Sequence, residues 1–121
     1  MPLGTTKTNP DTHSEVVHTP DGAPTVAVIK TDPTTVVADV GAAMRLAGYN
    51  FQLAPDVATI LKINISWQHY YPACSTSPWQ LDGVIKTLKE DGFDELIPTH
   101  NGTVVVDARE GEVNNKHDVV V

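Results

Sequence analysis

The same local pattern occurs twice in this chain: an apolar β-branched run, a Thr-x-Pro opening, a helical stripe, and a stop of the form Gly-aromatic-Asx. In the first copy these are Thr25–Lys30 (TVAVIK), Thr31-Asp32-Pro33, a stripe through Val36, Val37, Val40, Ala43, Met44 and Ala47, and Gly48-Tyr49-Asn50. In the second they are Thr59–Trp67 (TILKINISW), Thr76-Ser77-Pro78, a stripe of Leu81, Val84, Ile85 and Leu88, and Gly92-Phe93-Asp94. Apolar residues spaced i, i+3, i+4, i+7 bury one face only as a helix, whereas short β-branched runs between turn residues suit strands. Strand–helix alternation of this kind builds parallel pairing with crossover helices. The expectation is an α/β fold: a small two- or three-layer βαβαβ domain with a mostly parallel sheet of three to five strands.

The punctuation supports both helices. Asp32 and Ser77 are candidate N-caps, each followed by a proline at the first helical position. Gly48 and Gly92 are suited to the left-handed stop, and Arg45 complements the C-terminal dipole. Asp82, Lys86 and Glu90 form i,i+4 charge pairs on the second helix. The first strand is apolar without alternation, as in a strand covered on both faces. In the second, Leu61, Ile63, Ile65 and Trp67 share one face, and Lys62 and Asn64 interrupt the apolar run.

Residues Met1–Pro24 read as an extended or poorly ordered lead-in, with Glu15–His18 as a short edge strand and His13 and His18 solvated. The α/β domain then runs from residue 25 to 121. Glu95–Pro98 and Thr103–Asp107 are strand candidates separated by a hairpin signal at Asn101-Gly102. From Ala108 onward no further helix is expected. Asp107, Arg109, Glu110 and Glu112 read as a solvated loop, and Val119–Val121 as the start of a strand. Two helices leave much of a parallel sheet bare, so the chain is expected to be a fragment of a larger protein, to lack a C-terminal domain, or to form a homo-oligomer.

A formal net charge of −7 without any basic cluster excludes a nucleic-acid partner. No apolar run approaches the roughly 18 residues of a membrane span, and the polar, proline-broken start is not a signal peptide, so cytoplasmic residence is expected. The single cysteine, Cys74, excludes an internal disulfide and any cluster held by several cysteines of this chain.

The two copies differ by an insertion, Gln68–Cys74, on the edge where parallel sheets bind ligands, beyond the carboxyl ends of strands. Thr99–Gly102 lies on the same edge. Ser75, Thr76 and Ser77 run into a helix N-terminus, where hydroxyls, free amides and the dipole suit a phosphate or carboxylate. Lys62 and Asn64 lead into the same loop and need polar partners if buried. Cys74 stands where a helix start favours thiolate, with His69 and His100 on the same edge as candidate bases or metal ligands. Trp67, Tyr70, Tyr71 and Trp79 crowd around it, suited to stacking on a planar ligand or to anchoring the loop on another domain. Three functions follow. The first is binding of a small anionic ligand by Lys62, Asn64, Ser75, Thr76 and Ser77. The second is a redox or metal-dependent enzyme using Cys74 and His69. The third is an interaction module docking through its sheet edge and aromatic loop. No cofactor and no metal-ligating set is assigned.

The run Ile60-Leu61-Lys62-Ile63-Asn64, the Thr76-Ser77-Pro78 opening and Lys89-Glu90-Asp91-Gly92-Phe93 resemble the hallmark region of the domain of unknown function 362, over roughly Thr25–Asp107. Members are generally longer, and some carry ferredoxin-like iron–sulfur segments. The resemblance adds weight to Lys62 and Asn64 and implies that any cluster belongs to a missing C-terminal portion, because this chain has no CxxCxxC segment. It implies no catalytic assignment.

Overall fold

Both helices end as their glycines dictate. Gly48 (φ +76°) and Gly92 (φ +88°) take the left-handed conformation that a Cβ would strain. After Gly92 the Phe93 amide returns to Leu88 O at 2.9 Å and the Gly92 amide to Lys89 O at 3.2 Å, closing a Schellman motif over two buried apolar residues. In this computed structural model residues 25–102 and 104–121 are described, together with the backbone of Ser14–Val17. His13 and His18 lie outside the described residues.

Among the described residues the elements are β1 (Ser14–Val17), β2 (Val26–Ile29), α1 (Val36–Leu46), β3 (Thr59–Lys62), α2 (Pro78–Glu90), β4 (Leu96–Thr99) and α3 (Ala108–Asn114), with a 3-10 turn at Tyr49–Phe51. The chain divides into two units, Met1–Ala54 and Pro55–Val121. The α/β class and parallel pairing are as expected, but among the described residues the strands pair two by two. β1 runs antiparallel to β2, with Ser14 opposite Ile29, and β3 runs parallel to β4, with Ile60 opposite Ile97.

In the first unit α1 packs on β2. Val26 and Val28 are exposed while Ala27 and Ile29 are half-buried, so β2 is covered on one face rather than both. Asp32 organises the entry to α1: its Oδ1 accepts from Thr34 N (2.7 Å) and Thr34 Oγ1 (2.6 Å), and its backbone oxygen accepts from Val36 N (2.9 Å). These bonds, the Thr34 hydroxyl first and its amide second, hold the Asp32 carboxyl below its ordinary range.

The second unit buries Ile63, Ile65 and Leu81, with Ile85, Val106 and Val120 packed against them. Ile63 and Ile65 continue the β3 alternation past the end of the ladder, and Ile63 N still reaches Thr99 O at 2.7 Å. Lys86 pairs with Asp82 at 2.7 Å, as its spacing predicts.

The C-terminal region corrects three expectations. Asn101-Gly102 makes no hairpin, because residues 104–106, in the expected second strand, form none. Residues 104–106 and 118–121 are not strands: Val106 and Val120 instead pack singly onto the core, on either side of a helix. That helix, α3, replaces the expected loop. Asp107 caps it by accepting from Glu110 N at 2.9 Å. Gly111 lets it lie close, since a Cβ there would sit 2.5 Å from Ile65 Cγ2 and 3.5 Å from Gln68 Cα.

Two outcomes follow. Helix propensity alone would make Gly111→Ala stabilising by about 1 kcal/mol. The stiff, buried Ile65 cannot yield, so urea denaturation should instead show a loss of about 1–3 kcal/mol. For Asp32, the lowered carboxyl stabilises the folded state above its ordinary range, and that contribution fades as pH falls through the depressed value. Asp32→Asn should therefore flatten the acid limb of the stability profile, measured by far-UV circular dichroism against pH.

Candidate functional site

The inserted loop is a hydrogen-bonded structure with two supports. The first is at its neck. Asn64 N donates to Thr76 Oγ1 (3.0 Å), Thr76 N to Asn64 O (2.9 Å), and Ser66 N to Ser75 Oγ (3.2 Å). Asn64 Nδ2 reaches both Ser66 Oγ and Cys74 O at 2.7 Å, and Ser66 Oγ also donates to Cys74 O (3.0 Å). Asn64, Ser75 and Thr76, chosen from sequence as ligand-binding groups, thus turn their side chains to backbone groups across the neck, those of Cys74, Ser66 and Asn64 respectively. Ser77 is buried at the N-cap of α2 and makes no side-chain capping bond.

The second support comes from the C-terminal segment. Asn115, 1% exposed, accepts from Tyr71 N at 3.1 Å through Oδ1. Its Nδ2 donates to Trp67 O (3.1 Å), His69 O (3.3 Å) and Gly111 O (2.9 Å). Asn114 Nδ2 adds Gln68 O at 2.8 Å. His117, fully buried, donates from Nε2 to Thr76 O at 2.6 Å, and its Nδ1 is buried without a hydrogen-bond partner. Lys116 lies between them at φ +64°, and the Lys116 and His117 amides return to Val113 O and Glu112 O, closing a second Schellman motif with a side chain where glycine is usual.

Held from both sides, the loop turns through Tyr71-Pro72-Ala73-Cys74, with the Cys74 and Ser75 amides on Tyr71 O at 3.0 Å. Its large side chains face outward: Trp67, Tyr70 and Tyr71 are 49%, 51% and 53% exposed. With Ser66, His69 and Cys74 they line a hollow of about 360 Å³. The Trp67 and His69 rings lie 5.8 Å apart, tilted by 56°. A neighbouring hollow of about 610 Å³ shares His69 and Tyr70 and adds Asn114 and Lys116.

Cys74 and His69 therefore border one hollow, the thiol exposed. Lys62 lies elsewhere, at the end of β3, with Nζ 3.0 Å from Ile63 O and 2.9 Å from Asn101 Oδ1. His100 is exposed on the loop after β4 and lines neither hollow. Among the described residues no three His, Cys, Asp or Glu side chains converge as a metal site, and no helix is long and apolar enough to cross a membrane. The residues that sequence reasoning missed are Asn114, Asn115, Lys116 and His117. Asp107-x-x-Glu110 was the available signal, since an acidic cap three residues before Glu is a helix-start pattern.

The chain matches no protein-family model, no curated protein and no solved structure.

Removing the Asn115 amide leaves the Tyr71 amide and the Trp67 and His69 carbonyls without their partner. Asn115→Ala should cost about 2–4 kcal/mol in urea denaturation, with a red shift of tryptophan emission as the loop loosens.

Proposed function

We propose that this chain binds a small planar molecule carrying an anionic group, at the strand-to-helix loop that precedes α2. The observation that carries this reading is the aromatic hollow of Trp67, Tyr70 and Tyr71, held open by Asn115 and Asn64 rather than filled by the loop's own side chains. Aromatic faces of this kind take a flat ring, with gains of about 0.5–1.5 kcal/mol per well-placed pair beyond area burial. The adjoining hollow supplies the charge: Lys116 and the Asn114 amide lie beside the shared His69 and Tyr70. Because Ser75 and Thr76 accept from the neck amides, the anionic group is assigned to Lys116. The Ser75–Ser77 segment serves as frame. Membership of the domain of unknown function 362 family belongs to the same proposal, resting on the Lys62–Asn64 and Thr76–Pro78 motifs.

A second reading, docking onto another protein surface, is favoured by one observation. Ile60 and Ile97, opposite each other in the β3–β4 ladder, are 66% and 40% exposed.

The ligand reading is tested with benzoate, benzamide, acetate and phosphate. Benzoate should raise the melting temperature in proportion to RT ln(1 + [L]/Kd) and quench tryptophan emission, and benzamide, acetate and phosphate should do so less. Trp67→Ala should abolish the benzoate response. Lys116→Gly should erase the preference for benzoate over benzamide while raising basal stability by up to about 1 kcal/mol, because glycine relieves the left-handed backbone. No response to any of the four compounds sinks the proposal.

A further inference from the structure

One contact serves neither the hollow nor the core. Lys62 Nζ donates to Asn101 Oδ1 at 2.9 Å, bridging the end of β3 and the loop that leaves β4. Asn101 is the only asparagine of the chain followed by glycine, and both residues are exposed. Nothing crowds Gly102: a Cβ built there would meet no atom within 4 Å. Among the described residues none accepts a hydrogen bond from its amide.

We propose that Asn101 is a self-modifying residue, converted to aspartate and isoaspartate through a cyclic imide, with the Lys62 ammonium speeding the ring closure. The Gly102 amide gives up its proton to hydroxide and its nitrogen attacks Asn101 Cγ. A C–N bond forms and the displaced electron pair settles on Oδ1, the atom that Lys62 already contacts. A preorganised donor stabilises an oxyanion more than the amide that precedes it, which is the condition for acceleration rather than mere binding. Collapse breaks the Cγ–Nδ2 bond, and the nitrogen leaves as ammonia with a proton from water. Water then opens the imide at either carbonyl, giving aspartate or, with one extra carbon in the main chain, isoaspartate. The sum is one water consumed and one ammonia released, without redox change. Glycine at 102 eases the approach of the backbone nitrogen, since a side chain there would restrict φ and slow the attack.

The product also changes Lys62. A carboxylate replaces a neutral amide 2.9 Å from its ammonium, so the end of β3 and the loop after β4 become joined by an ion pair and the chain gains one negative charge.

The experiment incubates the folded chain in mildly alkaline buffer and follows the peptide containing residue 101 by mass spectrometry, with chromatography separating isoaspartate. The wild type, Lys62→Met and Lys62→Arg are compared, each folded and each in urea, with melting curves to establish folding. A buried oxyanion donor is worth about 10²–10³-fold, and exposure here reduces that, so folded wild type should convert about three- to tenfold faster than folded Lys62→Met. Lys62→Arg should retain most of the acceleration, and in urea the three chains should convert alike. Equal or faster conversion in folded Lys62→Met, or a difference that persists in urea, overturns the proposal. If Lys62→Met does not fold, wild type decides alone: it must convert faster folded than in urea.

Discussion

The second unit depends on the satisfaction of one short backbone stretch, Trp67–Tyr71. Five residues of loop with four aromatic or imidazole side chains have no ladder to join, so their amides and carbonyls need partners from elsewhere. Asn115 supplies three of those partners from a single position. Its amide is a donor and an acceptor at once, and it touches three successive parts of the loop as well as its own helix. A hydrophobic side chain could fill the same volume but could not do this, because unpaired backbone groups cost more than the burial returns. The close approach of α3 at Gly111 and the left-handed turn at Lys116 both follow from bringing Asn115 and His117 to that place.

The comparison of the two βα copies shows what the insertion adds. In the first, the chain passes from β2 to α1 through a few residues, and Thr31, Thr35 and Asp39 bond one another, with Thr31 Oγ1 and Thr35 Oγ1 on Asp39 Oδ2 at 2.7 and 2.6 Å. In the second, the equivalent polar residues are spread along a detour and bond across its neck. The same chemistry, short hydroxyl and carboxamide side chains competing for backbone groups, closes a turn in one case and frames a recess in the other.

Much of this was legible in the sequence and some was not. Both long helices and their glycine stops follow from local spacing, because Leu81, Val84, Ile85 and Leu88 have only one arrangement that buries them together. The loop at 68–77 was also visible as the departure from the first copy. The C-terminal helix was not, since Ala108–Asn114 carries no apolar stripe and contains a glycine that lowers its propensity. Its role is tertiary: Gly111 is there for Ile65, and Asn115 for a loop more than forty residues earlier. Polar residues whose partners lie that far away give no periodic signal. The valines at 104–106 and 119–121 misled for the related reason that β propensity describes a half-buried surface, and two of them found one without joining a sheet.

The distance between Trp67 and Asn115 has a consequence for biogenesis. Forty-eight residues separate the carbonyl from the amide that holds it. At a synthesis rate of about 5–20 residues per second, the loop emerges seconds before its support exists. Over that interval the rings at 67, 70 and 71 are tethered only through the neck, and the recess is absent from the nascent chain. The recess, which needs the Asn115 and His117 side chains, is assembled only after translation has passed residue 117.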